Sequence, residues 1–136
     1  MVSPARKFSV FDLAGLLAER NRAAALARLR RLLDSGENPV GIVGLLAWLY
    51  RQLLQAHALP PHTPIWKAAQ TLRAPRSRLE SLLRQARKFR RRELLAGLGI
   101  LLEADVALKS SAPDPTAVLE TVVMRLTAPV SEKARA

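Results

Sequence analysis

Three times in this sequence a residue able to cap a helix stands directly before a proline, at Asn38-Pro39, Thr63-Pro64 and Asp114-Pro115. A capping side chain accepts an orphan backbone N–H, and proline at the first helical position has no N–H to leave unpaired. Each pair therefore marks a helix start. Ser9-Val10-Phe11-Asp12 opens another helix with an acid in its first turn, and Asn21 caps the next. Gly36, after Leu32-Leu33-Asp34-Ser35, fits a left-handed C-terminal cap. These marks predict seven helices, over about 10–18, 22–35, 39–57, 64–72, 75–88, 91–108 and 115–127. The ends, 1–7 and 128–136, are expected to be loose and flexible.

Composition agrees with an all-α chain. Leu (25) and Ala (22) make up over a third of the 136 residues, and the β-branched and aromatic residues that sheets favour are thin. That length suits one domain, here 8–127, which buries about two-thirds of its unfolded surface without disulfides or metals. Apolar residues recur at helical spacing: Ile42, Leu45, Leu46, Leu49 and Leu53 in the third helix, Leu94, Leu98, Leu101, Leu102 and Leu108 in the sixth, Leu119, Val122, Val123 and Leu126 in the seventh. The third helix is apolar almost all round and belongs at the centre of a compact bundle. Leu46, Leu49, Leu53, Leu98 and Leu102 are assigned to its core, and Trp48 and Tyr50 to the same packing.

Several chemistries are excluded. Without cysteine there is no disulfide framework, thiol nucleophile or thiolate metal site. His57 and His62 flank Pro60-Pro61 as exposed loop residues, so no metal or cofactor site is expected. No phosphate-binding glycine loop occurs. Asp105 and Lys109, four apart on one helix, have the spacing of a stabilising ion pair, and no nucleophile accompanies them. The longest uncharged apolar stretch, 40–50, is about half of the ~20 residues a membrane span requires. A soluble, intracellular, non-catalytic domain is the expectation.

Charge is concentrated. The chain carries a net +11, and between Arg73 and Arg92 nine basic residues face one acid, Glu80. Arg84, Arg87, Lys88, Arg90, Arg91 and Arg92 are candidate contacts to DNA phosphates or to an acidic partner. Arg90, Arg91 and Arg92 stand where the sixth helix begins, against its dipole. A second candidate for DNA recognition is a helix-turn-helix over 66–83, with Arg73 or Ala74 at its turn.

Taken together, these stretches resemble a known family. Val10-Phe11-Asp12-Leu13, Ala24-Ala25-Leu26, Leu32-Leu33 and Gly36-Glu37-Asn38-Pro39 look like the first two helices, and the turn into the third, of the C-terminal collar domain of the delta subunit of bacterial DNA polymerase III. Leu45-Leu46 and Arg51-Gln52-Leu53-Leu54-Gln55-Ala56 are similar to its central helix. Its most distinctive stretch resembles Gln85-Ala86-Arg87-Lys88-Phe89, Glu93-Leu94, Leu102-Glu103-Ala104-Asp105 and Leu108-Lys109. Asp114-Pro115, Leu119-Glu120 and Arg125-Leu126 look like its closing helix. One departure stands out. The family often has Ser or Thr after the phenylalanine, forming a capping box with the glutamate; here that place is Arg90, and Glu93 remains.

The resemblance implies assembly. In this family the collars of five subunits pack into a ring that holds together the clamp loader, which opens and loads the sliding clamp in DNA replication. Partners implied are the gamma/tau and delta prime subunits, whose collars are of the same kind. Gamma/tau or delta prime itself is the alternative identity, and a stand-alone helix-turn-helix DNA-binding domain is the alternative function. The resemblance also implies that N-terminal AAA+-type domains precede this segment and touch the clamp. The whole subunit would be a non-catalytic part of the DNA polymerase III holoenzyme in the bacterial cytoplasm, with DNA reached through the complex.

Overall fold

The computed structural model describes residues 4–110 and 114–129, the side chains of 4–9 excepted. Seven α-helices occur among the described residues: α1 (Pro4–Ala18), α2 (Arg22–Asp34), α3 (Pro39–His57), α4 (Ile65–Leu72), α5 (Arg76–Ala86), α6 (Arg91–Lys109) and α7 (Pro115–Leu126). The fold is an all-α bundle, as composition and caps require.

The caps explain most boundaries. Asn21 accepts the N–H of Ala24 at 3.2 Å, Asn38 that of Val40 at 2.8 Å and Asp114 that of Thr116 at 3.1 Å. At the end of α2, the Gly36 N–H donates to Leu33 O at 3.0 Å and the Glu37 N–H to Leu32 O at 3.1 Å. Gly36 sits at φ 86°, the left-handed conformation this closure needs.

The starts of α1 and α4 differ from expectation, and α5 ends at Ala86 rather than near Lys88. Helix α1 starts at Pro4 and not near Val10, because Pro4 suits a first helical turn and Ala5, Arg6 and Lys7 favour helix. The expectation for 128–136 falls outside the described residues beyond Pro129. At α4 the N-cap is Pro64, not Thr63. The Thr63 hydroxyl turns back to donate to Pro60 O, so the first turn of α4 has no side-chain cap.

Helix α3 lies at the centre and touches α1, α4, α5, α6 and α7, with its most extensive interface on α6. Leu46, Leu49 and Leu53 are buried there, as is Tyr50, whereas Trp48 is exposed rather than packed inside. The close approach of α3 and α6 rests on Gly97: a Cβ at that position would lie 2.5 Å from Tyr50 Cε2. Tyr50 also meets the Phe89 ring at 5.5 Å between centroids. Burial pushes its phenol far above the usual tyrosine range. Gln52, buried in the same helix, donates Nε2–H to Leu72 O at 2.6 Å and ties α3 to the end of α4.

On α6 the inward residues are Leu94, Gly97, Leu101 and Ala104. Leu98 is half-buried against this core. Leu102 does not join the core and is 62% exposed. One residue is a turn of ~100° on a helix, so Leu102 points well away from Leu101.

Candidate interaction surfaces

The six basic candidates gather on the short break between α5 and α6. Helix α5 ends at Ala86, and α6 begins at Arg91 with Arg90 as an extended N-cap. Arg84, Arg87, Lys88, Arg90, Arg91 and Arg92 are all exposed. Lys88 pairs with Glu19 at 3.0 Å. Arg84, Arg87, Arg90 and Arg91 form no ion pair with any described residue.

Glu93 resolves the conflict of these cations with the helix dipole. Its Oε1 accepts the Arg90 N–H at 2.8 Å, half of a capping box. The Arg90 guanidinium carries only donors, so it cannot supply the reciprocal half. The same carboxylate forms an ion pair with Arg20, whose backbone stands left-handed at φ 56° in the α1–α2 corner. Sequence spacing could not reveal this pair, since 73 residues separate its members (93 − 20). Arg20, Arg87, Lys88, Arg90, Glu93 and Pro129 line a mostly polar cleft of about 430 Å³.

The second surface is apolar and lies on α6 and α7. Leu95, Leu102 and Val106 are spaced by seven and four and are 46, 62 and 68% exposed. This spacing puts them on one outward stripe. Beside the stripe runs a groove of about 320 Å³ between α6 and α7, walled by Ile100, Ala104, Val118 and Val122 and bounded by Glu103 and Arg125. Those last two pair at 2.6 Å. Asp105 and Lys109 pair at 3.0 Å on the same helix.

The 66–83 segment forms α4 and α5, joined by a turn of residues 73–75. Arg73 takes the left-handed place, at φ 52°. Arg78 on α5 lies over the Phe11 ring at 5.9 Å, and Leu79, Leu82 and Ala86 are buried. His57 is the last residue of α3 rather than a loop residue. Its Nε2 is 2.8 Å from Phe89 O and must donate, because a carbonyl oxygen only accepts. Among the described residues no group of three His, Asp or Glu could hold a metal ion. No helix there is long and apolar enough to cross a membrane.

The family model for the DNA polymerase III delta subunit, C-terminal domain, matches residues 7–126. Among solved structures, the Bacillus subtilis DNA clamp loader delta protein superposes with a TM-score of 0.82 at 24% sequence identity. The match covers 93% of this chain and 38% of that one, so the chain spans well under half the length of the protein it resembles. At that identity the likeness speaks for the fold. No curated protein sequence matches. With nearly its whole length matched by the family model, the chain belongs to the family formed by the C-terminal domains of DNA polymerase III delta subunits.

Proposed function

We propose that this chain is the collar of a clamp-loader delta subunit, the part that joins delta to its neighbours in the complex that opens and loads the sliding clamp. Beside family membership, one observation carries the reading: Leu95, Leu102 and Val106 lie in line and exposed on α6, whose other side is packed on α3. A helix that is apolar on both sides fits a bundle continued by another subunit. The proposed neighbours are gamma/tau and delta prime, and the clamp is met by AAA+-type domains upstream of this segment. On this reading the segment itself is non-catalytic and works in the bacterial cytoplasm.

The double variant Leu102→Asp, Val106→Asp tests it. Native mass spectrometry of the complete delta protein mixed with gamma/tau and delta prime is expected to show assembly weakened by about tenfold, since charge is excluded from interface cores. Undiminished assembly removes the stripe from the interface.

We further propose that Arg84, Arg87, Lys88, Arg90, Arg91 and Arg92 face DNA or a subunit seam in that complex. Arg84→Glu with Arg91→Glu is expected to lower DNA affinity and to reduce the slope of log K against log salt by about one for each phosphate no longer neutralised. A seam role shows instead as weaker assembly with unchanged DNA binding. If neither changes, the segment is only a solvated face. The competing reading, a stand-alone DNA-binding hairpin of α4 and α5, requires a preferred duplex site that survives ~150 mM salt.

A further inference from the structure

We propose that the groove between the end of α3, the start of α4 and the end of α5 is a docking site for a partner's peptide segment carrying large apolar side chains and carboxylates. The groove holds about 520 Å³, within the ~300–1,000 Å³ of ordinary ligand clefts, and is open along its outer side. Ala56, Leu59, Ala68, Leu83 and Ala86 give it an apolar surface, and Ile65 adds a side chain 39% exposed. Trp66, next in sequence, is 68% exposed. Trp66 does not line the groove; the arginine beside its apolar surface is of a type enriched among interface hot spots.

The charge at this groove is one-sided. Arg87 is the one formally charged residue that lines it, and no carboxylate does. Arg87 forms no ion pair with any described residue, so its guanidinium is free to grip a carboxylate in a forked pair. The first turn of α4, left uncapped when Thr63 turns to Pro60, begins at the same rim and adds positive potential. Together these features select an occupant that is apolar and negative. Nucleic acid fits less well, because most of the lining offers no donor to a phosphate; the polar cleft around Arg20 and Arg90 is the better match for that ligand.

This site is separate from the α6–α7 surface, and it shares only Arg87 with the basic segment. It shares no lining residue with the α6–α7 groove, so its failure leaves the collar reading standing. The test uses the 136-residue chain and a fluorescein-labelled peptide alternating aspartate with phenylalanine and leucine. Fluorescence anisotropy is expected to give a micromolar Kd, weakened by about tenfold or more when asparagine replaces aspartate in the peptide. Ile65→Asp and Arg87→Ala should each weaken binding by about fivefold or more, and Leu102→Asp should not. Circular dichroism checks that each variant is folded, and amide shifts should centre on 59–68 and 83–87. Equal binding of the asparagine peptide overturns the proposal, as does the lack of saturable binding. Shifts confined to α6 and α7, or produced at 59–68 by a DNA oligonucleotide and not by the peptide, overturn it equally.

Discussion

Replacing Gly97 by leucine is expected to lower the thermal midpoint of this chain by about 12 °C, the equivalent of roughly 3 kcal/mol at about 4 °C per kcal/mol. The cause is a single close approach. A Cβ at position 97 would lie 2.5 and 2.9 Å from two ring carbons of Tyr50 and 3.2 Å from a methyl of Leu126. Tyr50 is buried and wedged against Phe89, so the ring has nowhere to retreat. Alanine at the same place separates propensity from packing. In an open helix Gly→Ala gains about 1 kcal/mol, whereas here overpacking of about 1–3 kcal/mol reverses the sign. Gly99, two residues on, has open space at its Cβ, and Gly99→Ala should stabilise. Tyr50→Phe is the companion control. The phenol oxygen has no partner among the described residues, so its removal should leave the midpoint unchanged or raise it. A Gly97→Ala chain as stable as Gly99→Ala would mean that α3 and α6 can separate without loss.

The second large effect is expected at Glu93. Alanine there removes the acceptor of the Arg90 N–H and strands the Arg20 cation, and should cost about 2–3 kcal/mol in urea denaturation. The Glu93 side chain is 11% exposed and that of Arg20 37%, so the loss falls below that of a fully buried pair. Glu93→Gln keeps an oxygen for the N–H and should recover about 1 kcal/mol of this. Arg20→Gly relaxes the left-handed backbone while deleting the ion pair, so its own effect is small. A double-mutant cycle between Glu93→Gln and Arg20→Gly should then return a coupling of about 1 kcal/mol. Equal losses for Gln and Ala would show that the cap contributes nothing, and zero coupling would show the same of the ion pair.

These two sites show where the sequence is legible. Asn38-Pro39 and Asp114-Pro115 carry their meaning within three residues, and both cap as their residue types demand. Thr63-Pro64 has the same local pattern, yet Pro60 offers a competing acceptor, and a hydroxyl can donate to it where a carboxylate cannot. Leu102 departs for another reason. Its apolarity and spacing assign it to the core, but periodicity registers only that apolar residues share a face, not that the face is turned inward. The Arg20–Glu93 pair and the Tyr50–Gly97 approach join residues distant in sequence, and neither leaves a mark in either segment alone.

The ion pairs have a consequence beyond the single molecule. Asp12, Glu19, Glu93, Glu103, Asp105 and Glu120 are each held by a base of the same chain, and Asp114 is held by its own helix. The surface that another copy meets is therefore dominated by the surplus behind the net +11. Two such copies repel, over a range of about 8 Å at physiological salt. That repulsion opposes the pairing of two copies through the apolar stripe. In the proposed collar role, the same field favours a neighbour of opposite charge over a second copy before any side chain touches.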